Sequence, residues 1–343
     1  MTSFGTILNC SDLGLLYHAY PEEAYPKLLF KYDKKGIYCS VNTKEILRIR
    51  KLENEDFYTI SSDQGFLCAD IGGSIGWRPH CLAFEKFRIV SLSNLEHQKE
   101  KFGAKKEHFL INKTIHQTHD NDEIPEEFQN NVEKLIKNNQ GWNYIYWNAK
   151  KRHDFIYDYY GWNILKYYLS INPKYGAARA DFFRYLCIYQ LGGVYLDLKS
   201  GCNVPLSSIL RADDQYILSQ WHNGIGESAE GYGLGSEISI VPKGEYQQWH
   251  IIAAAGHPFL KHVINNMLTR ISKYSESFYG TGKLSVLRVT GPYVYTMSIY
   301  EILNKHQHRF IDYEKEGLLY STVGDHTKVF KNHYSKETLP LIL

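Results

Sequence analysis

Between residues 28 and 92, short runs rich in β-branched and aromatic residues partly alternate with polar ones. They are Lys27-Leu-Leu-Phe-Lys-Tyr, Gly36-Ile-Tyr-Cys-Ser-Val, Glu45-Ile-Leu-Arg-Ile-Arg and Phe57-Tyr-Thr-Ile-Ser. A period of two, with turn chemistry at Asp33, Asn42, Asp63-Gln64-Gly65 and Gly72-Gly73, predicts strands joined by tight turns. The expectation is a small β-rich module over residues 1–105, binding a glycan or a partner. A charged stretch, residues 96–108, reads as a linker or surface helix. Beyond it the pattern changes period.

Residues 113–118 predict a strand, and Pro125 marks a helix start. Phe128, Val132, Leu135 and Ile136 recur at helical spacing and predict one buried face. Residues 143–147 predict the next strand. A helix over 178–190 is closed by Gly192-Gly193 and followed by a strand over 194–198. Further strands are predicted over 216–220 and 238–241, and a helix over 258–271. Strands alternating with helices predict an α/β sheet over residues 106–343, with ligands held beyond the strand ends.

Composition narrows the function classes. With 343 residues, 43% of them hydrophobic, the chain can bury a full core. A formal net charge of +2 gives no reason to expect nucleic acid as a partner. None of the six cysteines sits at C-x-x-C or zinc-ligand spacing, so reduced thiols are expected. Residues 1–16 lack a basic start followed by an apolar run, and no stretch is long and apolar enough to span a bilayer. The expected setting is cytoplasmic, including peripheral association at the inner face of a membrane. The 28 tyrosines offer flat faces with polar tips, which suit sugars and nucleobases.

The chemistry concentrates in residues 180–201. Asp181 and Arg184, three apart on a helix, share a face. Phe183, Leu186, Cys187 and Leu191 supply apolar faces for the core. Gly192-Gly193 permits a tight reversal, and the strand after it delivers Asp197 to its C-terminal end. A carboxylate emerging from an apolar strand needs a partner or a site. Spacing alone fits a surface ion pair and a turn cap equally well.

The segment Ala177-Ala-Arg-Ala-Asp181-Phe-Phe-Arg184-Tyr185, followed by Ile188-Tyr-Gln-Leu-Gly-Gly-Val-Tyr195-Leu-Asp197-Leu-Lys199, resembles the D-x-D sugar-binding region of family 32 glycosyltransferases. That family includes yeast initiating mannosyltransferases and bacterial capsule and lipopolysaccharide enzymes. The resemblance extends from residue 111 to residue 334, with Thr114-Ile-His-Gln, Gly256-His-Pro and Thr290-Gly-Pro. It implies a Rossmann-like GT-A fold and retaining transfer of a hexose from a UDP- or GDP-linked sugar. The acceptor would be a glycan or lipid-linked, in surface polysaccharide or glycoconjugate synthesis. It further implies that Asp181, Arg184 and Tyr195 bind the donor sugar. Asp197 would contact the ribose or a metal-diphosphate group, and His116 and Gln117 would approach the base. Asp197, Lys199 and Arg184 are the candidate catalytic residues.

Lys199 departs from the pattern, standing where the second carboxylate of D-x-D is usually a metal ligand. Two accounts stand open. The ammonium itself neutralises the leaving diphosphate, or Asp197 and His333 hold Mn²⁺ or Mg²⁺ while Lys199 points elsewhere. Gln247 shares its stretch with Gln248, Trp249 and His250, which are candidates for lining the donor or acceptor pocket. His257 is expected to cap a helix, His306 and His308 to lie at the surface, and Gly231-Tyr-Gly-Leu-Gly235 to form a loop or lid. A second functional class is a non-catalytic carbohydrate-binding protein with a degenerate transferase site.

Overall fold

In the computed structural model the described residues are 110–322 and 337–343. Before them, 7–10, 16–19, 30–33, 36–39, 47–52, 58–69, 75–81 and 86–87 are described. They divide into two compact units, Met1–Gly103 with Tyr157–Ser170 and Leu343, and Ala104–Ile156 with Ile171–Ile342.

The first unit is built from antiparallel pairs. Strands β1 (Ile7–Cys10) and β2 (Leu16–Ala19) form one pair, and β3 (Phe30–Asp33) and β4 (Gly36–Cys39) form another. Strands β5 (Arg48–Lys51), β6 (Tyr58–Ser62), β7 (Gly65–Ala69) and β8 (Ile75–Arg78) follow in sheet order, with β9 (Lys86–Phe87) paired to β6. Asp63 and Gln64 make the expected turn between β6 and β7. Leu8, Leu47, Ile60, Leu67 and Phe87 form a small core. The turns expected at Asn42 and Gly72-Gly73, and the 96–108 stretch, lie outside the described residues.

The second unit is organised by a six-stranded mixed sheet. Its strands are β10 (Thr114–Thr118), β11 (Asn143–Trp147), β12 (Gly193–Leu196), β14 (Tyr216–Leu218), β15 (His250–Ala253) and β16 (Arg309–Phe310), in the order β11-β10-β12-β15-β14-β16. Strands β11, β10 and β12 run parallel, while β15 runs antiparallel to both of its neighbours. A short pair, β13 (Gly201–Cys202) with β17 (Leu318–Leu319), lies outside this sheet. The α/β expectation is met. The central strands β12, β14 and β15 are buried along their whole length, as strands covered on both faces must be.

Helix α1 (Glu126–Asn138) follows Pro125, with Glu126 and Glu127 in its first turn and Lys137 in its last, which suits its dipole. Phe128, Val132 and Leu135 are buried, but Ile136, expected on the same face, is 45% exposed. Residues 149–170, outside the elements expected from the pattern, form α2 (Ala149–Tyr160) and α3 (Trp162–Ser170), of which Tyr157–Ser170 belongs to the first unit. Helix α4 (Gly176–Leu191) packs on β12, on β15 and on α6 (Pro258–Ser272), and so is buried on nearly every face. A short α5 (Leu206–Ile209) follows β13, and α7 (Glu276–Tyr279), α8 (Gly282–Val289) and α9 (Pro292–Ile302) complete the unit. Among the described residues no helix is long and apolar enough to cross a membrane.

One sequence expectation needs correction. Residues 238–241 are not a strand: a 3₁₀ turn covers Ser236–Ile238, and Ile240 is 63% exposed. The strand at this point in the fold is β15, which the sequence reading had not assigned.

The link from α4 to β12 depends on two glycines. Gly192 and Gly193 have φ of 68° and 98°, which side chains other than glycine rarely adopt. A Cβ on Gly193 would lie 2.5 Å from the Thr114 carbonyl oxygen, which belongs to the neighbouring strand. Gly193→Ala is therefore expected to cost roughly 2–4 kcal/mol, combining backbone strain with a clash against a sheet strand. Urea unfolding checks this, and an unshifted midpoint would count against it.

Candidate active site

Helix α4 ends and β12 begins within two residues, which brings Asp181 and Arg184, three residues apart on the helix, close to the end of the strand. Arg184 projects from α4 and lies between two carboxylates: its Nη2 is 3.2 Å from Asp181 Oδ1 and 3.0 Å from Asp197 Oδ1. Its Nη1 donates to the Gln248 carbonyl at 2.8 Å, and the guanidinium lies 4.7 Å from the centre of the Tyr195 ring. The Tyr195 hydroxyl donates to Asp197 Oδ1 at 3.1 Å. Thr290 Oγ1 donates to Asp181 Oδ2 at 3.2 Å. Every partner in this group satisfies another, as buried charge requires.

The members differ in exposure. Side chains of Asp181 and Arg184 are 5% and 6% exposed, whereas that of Asp197 is 23% exposed. Asp197 thus reaches the open edge beyond the sheet, and the other two stand behind it. Burial pushes the Asp181 carboxyl up, to about 7, against the opposing pull of Arg184. The two flanking carboxylates hold the Arg184 guanidinium firmly protonated.

The turn that carries Asp197 is fixed from several sides. Asp197 N–H donates to the Trp249 carbonyl and Ser200 N–H to the Asp197 carbonyl, both at 2.8 Å. Gln117 Nε2 donates to the Asp197 carbonyl at 3.0 Å, and Asn131 Nδ2 to the Leu198 and Ser200 carbonyls at 3.0 and 2.9 Å. Lys199 Nζ donates to the Tyr320 hydroxyl at 2.8 Å, and the Lys199 carbonyl accepts from Thr322 N–H and Oγ1. Asp181, Arg184, Tyr195 and Asp197 thus meet in one group, while the Lys199 side chain, two residues on, lies against Tyr320.

Residues 125–216 match the model of the glycosyltransferase sugar-binding region containing the DXD motif. Over these residues the chain is similar to that glycosyltransferase family. The chain is 29% identical over 182 residues to inositol phosphoceramide mannosyltransferase 3 of Schizosaccharomyces pombe, covering 53% of this chain and 43% of that one. It is 35% identical over 183 residues to a mannosyl phosphorylinositol ceramide synthase of Saccharomyces cerevisiae, covering 53% of this chain and 41% of that one. The chain thus spans less than half the length of these two relatives. Among solved structures it superposes on the PaToxG glycosyltransferase with a TM-score of 0.41 and 16% identity, over 62% of this chain and 78% of that one.

Other residues support the site without facing it. His116 is fully buried: its Nε2 donates to the Gly192 carbonyl at 3.1 Å, while Nδ1 accepts from Trp147 Nε1 at 3.2 Å. The indole can only donate, so the tautomer is fixed. Gln117 is equally buried, its Oε1 accepting from the Tyr144 hydroxyl. The pair expected near the base instead fixes the glycine reversal and the Asp197 turn. Trp249 and His250 are 3% and 2% exposed and belong to the interior, which corrects their expected place on a pocket wall. Of that stretch, Gln248 reaches the cluster: its main-chain carbonyl accepts from Arg184, and its side chain bonds Asp181 and accepts from the Tyr185 hydroxyl. His257 caps α6, its Nδ1 accepting from Phe259 N–H at 3.2 Å.

Three further residues had no sequence assignment: Thr290 beside Asp181, Tyr320 beneath Lys199, and Arg152 of α2, whose side chain reaches Thr118 at the end of β10. Arg152 is 1% exposed, donates to Thr118 Oγ1 at 3.2 Å and pairs with Asp120. Thr290 opens the Thr-Gly-Pro motif, a faint signal, whereas Tyr320 and Arg152 carry none. The 231–235 loop is anchored, with Gly233 seated against Trp221 and Glu245 and Gly235 against Tyr293. His306 and His308 are each partly buried.

A divalent cation would need several oxygen or nitrogen ligands at one point. Among the described residues no three His, Cys, Asp or Glu side chains converge in that way. Asp197 is shared with Arg184, and an ammonium stands at the second motif position. The described residues therefore do not fit a metal site, and His333 lies outside them.

Burial lowers His116 and His257 to about 4 and His250 to about 3. Each stays neutral in the folded chain but takes a proton near pH 6.5 when unfolded. Stability is therefore fully present above that pH and falls as pH drops towards the folded values, by about 1.4 kcal/mol per pH unit for each histidine. Asp181, raised to about 7, binds its proton more readily when folded and opposes one of the three. A clear fall in the urea midpoint between pH 7 and pH 5 is expected, and a level midpoint would contradict this account.

Proposed function

We propose that the chain is a retaining GT-A glycosyltransferase that moves a hexose from a nucleoside diphosphate sugar to a glycan or glycolipid acceptor. One observation carries the reading: Asp197, at the open end of β12, is held by Arg184 and Tyr195, while Asp181, itself bonded by Thr290, backs the guanidinium. Asp197 is the group that would accept hydrogen bonds from donor hydroxyls. Arg184 is a positioning residue, since its donors are already engaged. As the nucleoside diphosphate departs, negative charge develops on its phosphates, and the Lys199 ammonium is the nearby cation able to meet it. Among the described residues the site has no pair of open carboxylates for a double displacement, and attack from the leaving group's own face is the scheme we favour.

The relatives are named for mannosyl transfer to inositol phosphoceramides, which favours mannose as the sugar and a glycolipid as the acceptor. Residues 1–105 would then serve as an accessory module for the acceptor or a partner. The test is a thermal-shift panel of GDP- and UDP-sugars, GDP-mannose first, followed by transfer assays on inositol-bearing and other glycolipids. At about a hundredfold excess over Kd a bound donor adds about 2.7 kcal/mol of stability, a shift of several degrees. No shift with any nucleotide sugar would sink the reading. Donor binding without turnover on any acceptor would favour the non-catalytic alternative.

A further inference from the structure

We infer that the Lys199 ammonium takes the place of a divalent cation, so that this site binds a nucleoside diphosphate without a metal ion. The inference rests on the nucleotide-sugar reading above and adds to it the means of phosphate recognition.

Position is the first argument. Lys199 follows Asp197 by two residues on a turn whose carbonyls at 197, 198, 199 and 200 all accept hydrogen bonds, from Ser200, Gln117, Asn131 and Thr322. The main chain at this point has little freedom to turn Lys199 away. Its side chain is also guided. Nζ donates to the Tyr320 hydroxyl at 2.8 Å and lies 4.0 Å from the centre of that ring. Tyr320 is itself braced edge-on by Trp221 and Trp249, with ring centres 4.9 and 5.7 Å away, and its carbonyl accepts from Ser200 Oγ at 2.7 Å. An aromatic face attracts an ammonium, so the charge is held in place rather than left on a free stem. An ammonium has three N–H donors, and with one directed to Tyr320 two remain for phosphate oxygens.

Charge is the second argument. Asp197 is compensated by Arg184 at 3.0 Å, and Lys199 adds a further positive group at the same edge. A dication placed against Asp197 would meet two fixed cations and one already shared carboxylate. A diphosphate would meet the Lys199 ammonium as attraction, with the charge of Asp197 already compensated by Arg184. The group is thus suited to the anion and unsuited to the metal that usually accompanies it.

Calorimetry on the full chain with GDP and UDP, in EDTA and in Mn²⁺, tests this, with GMP and UMP as controls lacking the second phosphate. The unmodified chain is expected to bind one diphosphate with affinities that agree within about threefold in the two conditions. Lys199→Met keeps the apolar stem over the Tyr320 ring and should weaken the diphosphate by about tenfold or more, with the monophosphate changed far less. Lys199→Asp restores the second carboxylate and should bind the diphosphate appreciably only with Mn²⁺. Diphosphate binding by the unmodified chain that vanishes in EDTA and returns with Mn²⁺ would overturn the inference while leaving the nucleotide-sugar reading intact. That outcome is the one expected if Asp197 and His333 hold a metal. No binding of either diphosphate in either condition would remove both.

Discussion

Replacing Asp197 by asparagine is expected to abolish transfer, lowering turnover by about a thousandfold or more while the fold persists. The argument starts from exposure. In the cluster around Arg184, Asp181 is sealed behind the guanidinium, and Asp197 alone of the two carboxylates extends to the edge. Asparagine keeps the size of the side chain but loses its charge. It also presents either an amide N–H or a weaker acceptor towards Arg184 and the Tyr195 hydroxyl. The donor would then meet a group that is misdirected as well as neutral. The turn itself should survive, because Asp197 is fixed through its main chain, with N–H to the Trp249 carbonyl and C=O from Ser200 N–H and Gln117 Nε2. The check pairs turnover on a glycolipid acceptor with thermal unfolding. A variant that melts like the parent and keeps a tenth of its turnover would remove Asp197 from the mechanism.

How much of this was legible in the sequence follows from how the site is built. Asp181, Arg184, Tyr195, Asp197 and Lys199 lie within nineteen consecutive positions, and a helix, a glycine reversal and a buried strand each leave a local pattern. Those residues could be brought together by reading alone. Thr290, Tyr320 and the Gln248 carbonyl arrive from distant parts of the chain, and contacts closed over such separations leave no periodicity to find. The 238–241 stretch failed for the opposite reason. Ile-Ser-Ile-Val alternates like a strand, yet Ile238 and Val241 are buried and Ile240 is exposed, an arrangement a 3₁₀ turn satisfies equally well. Strand β15 was hidden because His250-Ile-Ile-Ala is short and apolar, which fits a buried helix or strand alike. The same burial explains why Trp249 and His250, chemically suited to sugars, proved to be interior groups.

Removing the Arg184 guanidinium should instead be a stability event. Arg184→Met is expected to cost about 3–5 kcal/mol, because it leaves the buried carboxylate of Asp181 without its countercharge. Methionine fills much of the same volume, so the loss reports charge more than a cavity. Part of it should return in the double variant Arg184→Met/Asp181→Asn, since a neutral amide no longer needs a cation and can still accept from Thr290 Oγ1. Arg184→Lys should fall between, as an ammonium cannot span Asp181, Asp197 and the Gln248 carbonyl with one planar fork. Urea midpoints at pH 7 rank the three. If Arg184→Met were as stable as the parent, or the double variant no better than the single, the guanidinium would not be the group that holds α4 and the end of β12 together. The proposed positioning of Asp197 would then lose its physical basis.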